Sequence, residues 1–464
     1  MIRCFDLAKY WPGWLILALA FANLSATRTD YSVASKEAAL ATQVLSKEMN
    51  LAPAPGKILD QTTANVSEEL STKDRLEVFE KVWKDINDYY YDPSFKGVNW
   101  QQIHQRYLPL VEAVKTDREF YMLMNKMTGE LHDAHTRVLS PTLLANLKQQ
   151  QSVSPGFRAD EVEGKPVVTG VILESEAARA GIEPGMIVLT VDGQPVADKI
   201  AQVRKAISPS SSDRYDRIRV YASVFAGQLG TALKLGLQRA DGSNFEVAVT
   251  RKVLSDAPDL TARLLPSGYA YIAFNQFTPE ISRELKDNLT KLRAAPGLII
   301  DLRINSGGSN RGLYPIVEDF YNVKTLFLRN TTRTGKPFAE LPLEMYLGRE
   351  GGQVYSGPVV ILVSPRSGST TEMFAAGMQE TGRAKVVGSQ SCGCVVGINK
   401  QRELKGGGVL QISEVLWLTP KGRKLEGEGV IPDKTVVATI SDLQQKRDPV
   451  IAEGEDVLRK MSSR

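Results

Sequence analysis

The chain has 464 residues, a 42% hydrophobic fraction and a formal net charge of +4. That length suits roughly three units rather than one small domain. Lys and Arg are scattered rather than clustered, so the mild charge offers no footprint for nucleic acid.

Arg3 and Lys9 precede an apolar run from Trp14 to Ala22, and Ala20-Phe21-Ala22 fits a small-x-small cleavage rule. The run is short for a membrane span. Residues 1–26 are therefore expected to be an export signal, the alternative being a retained anchor. No second apolar run approaches membrane length, so no stable membrane span is expected after signal removal. Cleavage would remove Cys4, leaving Cys392 and Cys394 in Cys-Gly-Cys. These two could pair in an oxidising compartment, across a very small loop. With no His or Cys partners nearby they make a poor zinc site. Residues 27–72, rich in Ala, Ser, Thr and Lys with Pro53 and Pro55, have the composition of a flexible tether.

Residues 73–150 carry a helical pattern. Leu76, Val78, Phe79, Val82, Trp83 and Ile86 share one apolar face, and Trp100 to Val114 forms another. At the end of this unit lies Gly129-Glu130-Leu131-His132-Asp133-Ala134-His135-Thr136, with two of the three histidines of the chain. An imidazole titrating near 6.5 can take a proton from a serine hydroxyl at neutral pH. The plainer reading is structural or surface histidines near a helix end. A metal reading of His-x-x-His lacks a third ligand nearby, and no metal or cofactor is expected.

Residues 152–252 offer a strand at Lys165–Ile172, a short helix Ala177–Ile182 closed by Gly181, and a strand with a tight turn at Gly185–Gly193. A helical insert from about Ile200 to Gln228 precedes two closing strands. This order resembles a PDZ domain. Pro155, Gly156 and Phe157 stand where the carboxylate-binding loop of such a domain lies, without its usual glycine-rich form. A PDZ groove adds an extended peptide as a strand, so the resemblance implies a peptide ligand.

Residues 256–440 alternate strands and helices: Tyr269–Phe274, then Ser282–Leu292; Gly297–Arg303, then Gly312–Tyr321; Val359–Val363, then Met373–Met378. Such pairing predicts a layered α/β core. Between the last pair stands Ser367-Gly368-Ser369-Thr370-Thr371-Glu372. A serine where a strand turns into a helix exposes its hydroxyl at the helix N-terminus, beside free N–H groups and the positive dipole end. Ser369 or Thr370 equally fits an N-cap. Asp301-Leu302-Arg303-Ile304-Asn305-Ser306-Gly307-Gly308 ends a buried strand, where ligand sites open in α/β sheets. Its paired glycines suit close approach of N–H groups to a reacting carbonyl, or a plain turn. Leu425-Glu426-Gly427-Glu428-Gly429-Val430-Ile431-Pro432-Asp433 places acids that could orient a histidine, or form a polar turn. The tail, 441–464, is expected to be one amphipathic helix from Ser441 to Met461.

Taken in order, these segments resemble the C-terminal-processing (tail-specific) serine peptidases, over about residues 75 to 440. The resemblance implies a ClpP/crotonase-like layered α/β catalytic core with an inserted PDZ domain and an N-terminal helical domain. It also implies export, in a bacterium to the periplasm, and protein or peptide substrates. It leaves the oligomeric state open. Ser369 matches the nucleophile, and the N–H groups of Gly307 or Gly308 and Thr370 match the oxyanion donors. The best-known branch carries its lysine base twenty-five residues after the nucleophile. That position here is Cys394, and the supporting glutamine is replaced by Ile398. A thiol is a poor substitute for a neutralised lysine. The tricorn-core-like branch instead places a histidine before the PDZ unit and a late glutamate, which match His135 and Glu426. The expectation is an exported serine endopeptidase using Ser369, His135 and Glu426. The alternatives are a catalytically inactive PDZ-containing peptide-binding or scaffold protein, and an esterase with the same triad.

Overall fold

The computed structural model describes residues 69–148, 151–255, 259–338 and 341–463. The expected export signal and most of the expected tether lie outside the described residues. Among the described residues no helix is long and apolar enough to cross a membrane.

Three helices open the described chain, at Thr72–Tyr89, Trp100–Ala113 and Asp117–Gly129. The first and third start on capping boxes, Ser71 with Asp74 and Thr116 with Glu119, which satisfy N–H groups that the helix leaves free. Their apolar faces bury Val78, Phe79, Val82, Ile86, Ile103, Tyr107, Val111, Phe120 and Met124. That core is completed from far along the chain by Val396, Leu404, Leu410 and Ile412. The short strand Arg137–Leu139 then pairs antiparallel with Val409–Gln411, tying the helices to the C-terminal half.

The middle unit is an antiparallel sheet in the order Phe157–Val162, Lys165–Val171, Ile187–Val191, Ala232–Gln238, Asn244–Thr250. Its first strand is an edge. The insert is two helices rather than one segment, Val196–Ala206 and Asp213–Phe225. Val220, Val224 and Phe225 of the second pack against the sheet residues Phe157, Leu233 and Leu235. The chain enters and leaves this unit through Gln151–Ser154 paired with Lys252–Ser255.

The remaining core is a six-stranded sheet ordered Leu260–Leu264, Ala270–Phe274, Leu298–Asp301, Val359–Val363, Lys385–Gly388, Lys434–Thr435. Only the first pairing is antiparallel. Its central strands are buried on both faces, which is why they appear in sequence as unbroken Leu/Ile/Val runs. One face carries the helices Pro279–Leu292, Asn310–Glu318 and Thr370–Glu380; beyond them a second sheet, Glu344–Leu347, Thr325–Thr332, Val415–Leu418, Val396–Gly397, adds Phe327, Val415 and Trp417 to the same core. On the other face Val450 and Leu458 of the helix Pro449–Ser462 cover Ile299, Val360 and Leu362.

The helix Thr370–Glu380 is buried from Thr370 through Met378. A one-sided apolar spacing is what the sequence suggests, but the helix is enclosed on all sides, with Gly377 set against the ring of Phe327. The tail also differs from expectation. It is two helices, Ile440–Gln444 and Pro449–Ser462. The break falls at Lys446, whose φ of 56° is left-handed, and Asp448 caps a new start with Pro449 in the first turn.

Phe374 is fully buried, its ring 5.6 Å from Phe277 and 6.2 Å from Phe320. Phe374→Ala is expected to lose about 3–5 kcal/mol in denaturant titration, and Phe374→Leu less than about 2 kcal/mol. Equal losses would place the helix outside the core.

Candidate active site

The strand Val359–Val363 ends in a turn built from its own hydroxyls. Ser364 N–H donates to Ser367 Oγ at 2.9 Å, Ser367 Oγ donates to Leu302 O at 2.8 Å, and Ser364 Oγ donates to Arg303 O at 2.6 Å. Two loops at the carboxyl end of the sheet are thereby stitched together, 302–308 and 364–369. Ser369 follows with φ 54° and ψ −123°, a conformation that non-glycine residues adopt only under constraint. The helix N-cap N–H is shared between Cys394 O at 3.2 Å and a Glu372 carboxylate oxygen at 3.1 Å. Glu372 N–H in turn donates to the Ser369 carbonyl at 2.9 Å.

Asn305 is the hub of the facing loop and is fully buried. Its Oδ1 accepts Gly307 N–H at 2.9 Å and Thr371 Oγ1 at 2.7 Å, its carbonyl accepts Gly368 N–H at 3.2 Å, and its Nδ2 donates to Phe274 O at 3.1 Å. Gly307, at φ 119°, lies so close that a Cβ there would stand 2.8 Å from Ser369 Cβ and 3.2 Å from Thr370 N. Thr370 Oγ1 donates to Gly308 O at 2.7 Å. Of the three donors expected for an oxyanion, Gly307 N–H is taken by Asn305. Among the described residues, Gly308 and Thr370 N–H groups have no acceptor.

The third wall is the segment Ser391–Val395. The carboxylate of Glu372 accepts Gly393 N–H at 2.7 Å, Cys394 N–H at 3.0 Å and the Ser391 hydroxyl, besides Ser369 N–H. Burial pushes this carboxyl up to about 7, against the opposing pull of those four hydrogen bonds. Cys392 and Cys394 are joined as a disulfide, so the residue in the expected lysine position has no thiol to titrate. Glu372, Cys392 and Cys394 form a buried group of metal-ligand spacing, but both sulfurs are bonded to each other and the carboxylate is filled by donors.

His135 approaches from the N-terminal unit. Asp133 Oδ1 accepts the N–H groups of His135 and Thr136, each at 2.7 Å, and the Ser413 hydroxyl at 2.9 Å. Burial, reinforced by the charge of Arg137 and opposed by that of Asp133, pushes the His135 imidazole down to about 4. No hydrogen bond joins the ring to Ser369 among the described residues. Glu426 is buried beside the same wall. Its Oε2 accepts Val395 N–H at 2.8 Å and its Oε1 lies 4.0 Å from Lys96 Nζ. Burial and the Asp133 charge push it up to about 7. His132 is exposed.

Pro155, Gly156 and Phe157 lie at the end of the middle sheet, outside this cluster. Gly156 O accepts Ile172 N–H at 2.9 Å and Ser175 Oγ at 3.2 Å, and the Phe157 ring packs 5.2 Å from Phe225. The middle unit still touches the site. Arg366 Nη2 sits 3.5 Å from Asp160 on the edge strand. Arg214 donates to Ser391 O, Gly427 O and Glu428 O, and Ser212 Oγ donates to Cys392 O. Sequence reasoning gave no role to Asn305, Glu372 or Arg214. Glu372 three residues after Ser369 has the spacing of a capping box, whereas nothing local marks Arg214.

Residues 268–436 match the model of peptidase family S41, and residues 71–129 match that of the tricorn protease C1 domain. A carboxyl-terminal-processing protease of Picosynechococcus sp. is 25% identical over 78% of this chain and 83% of its own. A tricorn protease homolog of Streptomyces coelicolor is 23% identical over 81% of this chain and 31% of that longer protein. In fold, the chain is similar to the photosystem II D1 C-terminal processing protease, with a TM-score of 0.55, 21% identity and coverage of 83% and 96%. It is also similar to mature CPAF, with a TM-score of 0.61, 13% identity and coverage of 84% and 96%.

Asn305→Ala strands several buried partners at once. The expected outcome is a loss of about 3 kcal/mol in denaturant titration, with fluorophosphonate labelling of Ser369 slowed at least about tenfold. Labelling at the wild-type rate would show that the loop does not depend on this side chain.

Proposed function

The chain being a serine-type peptidase whose residues 268–436 match peptidase family S41, we propose that Ser369 is its nucleophile and His135 its general base. The observation that carries this reading is the setting of Ser369. It sits at φ 54° at the N-terminus of a buried helix, with the unclaimed N–H groups of Thr370 and Gly308 beside it. Ser369 Oγ attacks the carbonyl carbon of the scissile peptide and passes its proton to His135. The oxyanion is held by Gly308 and Thr370 N–H, with Gly307 supplying the close approach. His135 then protonates the leaving amine, and water hydrolyses the acyl-enzyme by the reverse relay. Glu426, with Asp133, stabilises the imidazolium formed in each step.

The middle unit we read as a PDZ domain that feeds substrate to this site. Among the described residues its edge strand Phe157–Val162 has no strand paired on one side, the geometry that accepts a peptide as an added strand. Pro155, Gly156 and Phe157 would receive the peptide end. The Arg366–Asp160 contact sets that edge beside the loop that carries Ser369. Export, with action in a periplasm or an equivalent compartment, is the companion proposal, and the Cys392–Cys394 disulfide accords with an oxidising compartment. The replaced lysine favours the rival reading, a peptide-binding protein without catalysis.

Cleavage of unfolded casein decides between them. Ser369→Ala and His135→Ala should each abolish turnover, by about a thousandfold or more, while Cys394→Ala keeps measurable activity. A wild type that neither cleaves nor takes a fluorophosphonate label would establish the peptide-binding reading.

The pH profile gives a second check. Turnover needs neutral His135 and ionised Glu426. The histidine is neutral above about 4, and the glutamate ionises only above about 7. The acid limb of kcat/KM is therefore expected near pH 7, with activity lost as pH falls. In Glu426→Gln the residual activity should be lower by at least about tenfold and its limb should move to lower pH. A limb left near 7 would assign it to another group.

A further inference from the structure

Three consecutive residues after the first helix hold left-handed backbone: Phe95 at φ 51°, Lys96 at 55° and Gly97 at 85°. Two of the three carry side chains, and such residues keep this conformation only where their surroundings impose it. Here they do. The two carboxylate oxygens of Asp92 accept Ser94 N–H at 2.8 Å and Lys96 N–H at 2.9 Å. The Phe95 ring stacks on Tyr90, 6.0 Å between centres, and on Trp100 at 5.8 Å, with the Arg333 guanidinium 5.3 Å from its centre. This frame sets the direction of one side chain. Lys96 Nζ donates to the carbonyl of His132 and stands 4.0 Å from Glu426 Oε1. His132 is itself left-handed, at φ 51°, in the turn that carries His135. The Glu426 side chain is fully buried and that of Lys96 is 24% exposed. Glu426 Oε1 accepts no hydrogen bond among the described residues, and among them Lys96 is the cation that forms an ion pair with it. A buried carboxylate oxygen without a donor needs a charge beside it to stay ionised. A constrained turn that aims one ammonium at both the acid and the base turn is better explained by function than by packing.

We propose that Lys96 is a positioning residue, whose ammonium ties the turn carrying His135 to the buried Glu426 carboxylate and keeps that carboxylate charged. It transfers no proton and acts through Glu426 rather than on the substrate. This rests on the Ser369–His135–Glu426 reading. The other groups facing Glu426 are Asp133 from the base turn, the phenols of Tyr90 and Tyr91 from the end of the first helix, and the Ser211 hydroxyl from the helical insert. Burial keeps both phenols protonated, so they bring no charge. Burial and Asp133 push Glu426 toward its neutral form, and Lys96 pulls the other way. Removing the ammonium leaves that push unopposed, so Glu426 ionises at a higher pH.

The test compares two variants of the full chain on unfolded casein, reading kcat, KM and the pH profile. Lys96→Gln keeps a donor for the His132 carbonyl but carries no charge. Lys96→Arg keeps the charge at every working pH. In Lys96→Gln the acid limb of kcat/KM is expected to rise by about one pH unit or more. At pH 7 its kcat/KM falls about fivefold, is recovered at higher pH, and KM stays within about twofold. In Lys96→Arg the limb stays within about 0.3 of a unit of wild type. A wild-type limb in Lys96→Gln overturns the proposal, since the lysine is then a surface group. A limb displaced equally in both variants overturns it too, since shape rather than charge is then at work. If Lys96→Gln does not fold, its combination with Glu426→Gln, which leaves neither charge unpaired, carries the test. The double variant must match Glu426→Gln alone, and a further loss of about threefold or more overturns the proposal. Failure of the underlying reading is told apart by the triad variants: an active His135→Ala or a fully active Glu426→Gln sinks that reading. With both impaired, an unmoved limb in Lys96→Gln sinks this inference alone.

Discussion

One buried carboxylate governs the architecture around Ser369. Glu372 is fully enclosed, and among the described residues no cation forms an ion pair with it. An isolated carboxylate in such a place would cost several kcal/mol. Its charged form is made tolerable by four donors, from Ser369, Ser391, Gly393 and Cys394, and by its place in the first turn of a helix. Because those donors come from two chain segments, the carboxylate fixes the distance between the serine and the wall at 391–395. The left-handed backbone of Ser369 persists because the surrounding bonds over-determine it.

The same wall shows how a second acid is used. Gly393 and Cys394 N–H groups point to Glu372, and the next one, Val395 N–H, points to Glu426. Three successive amides thus donate to two buried carboxylates that lie far apart in sequence. Arg214 and Ser212 close the segment from the side by taking the carbonyls of Ser391 and Cys392. With its N–H groups and carbonyls claimed and its two sulfurs joined, this wall is rigid and offers no ionisable group for proton transfer. Position 394, where the resemblance implies a lysine base, is held by a cysteine bonded to Cys392.

Much of this was legible in the chain. The run Val359–Val363 announces a strand buried on both faces, and a serine directly after it announces a hydroxyl at a helix start. Gly307 and Gly308 are legible as a pair of glycines, and the structure gives the reason: a Cβ there would stand within 3 Å of Ser369 Cβ and Phe277 O, where no side chain fits. The helix Thr370–Glu380 was legible as a helix but not in its burial, since a helix enclosed all round has no polar face to set a period. The second sheet was not legible. Its strands Val396–Gly397 and Val415–Leu418 are short, and the second pairs both with the first and with Thr325–Thr332, far back in the chain. Nor does a sequence reveal that Asn305 spends its amide on three segments, because an Asn beside Gly-Gly looks like any turn.

The position of His135 follows from these long-range pairings. The histidine lies in a turn just before Arg137–Leu139, and that strand is held by Val409–Gln411. Asp133, which grips the His135 backbone, is itself gripped by Ser413, two residues beyond the same strand. A base carried on the wall would be set by the wall alone. A base carried on residue 135 is set by the pairing of the N-terminal helices with residues 396–412, whose apolar side chains share one core with them. In the mechanism proposed, the N-terminal unit is therefore part of the catalytic apparatus. The cost of moving the base off the wall is that nucleophile and base are aligned only when that core is fully formed.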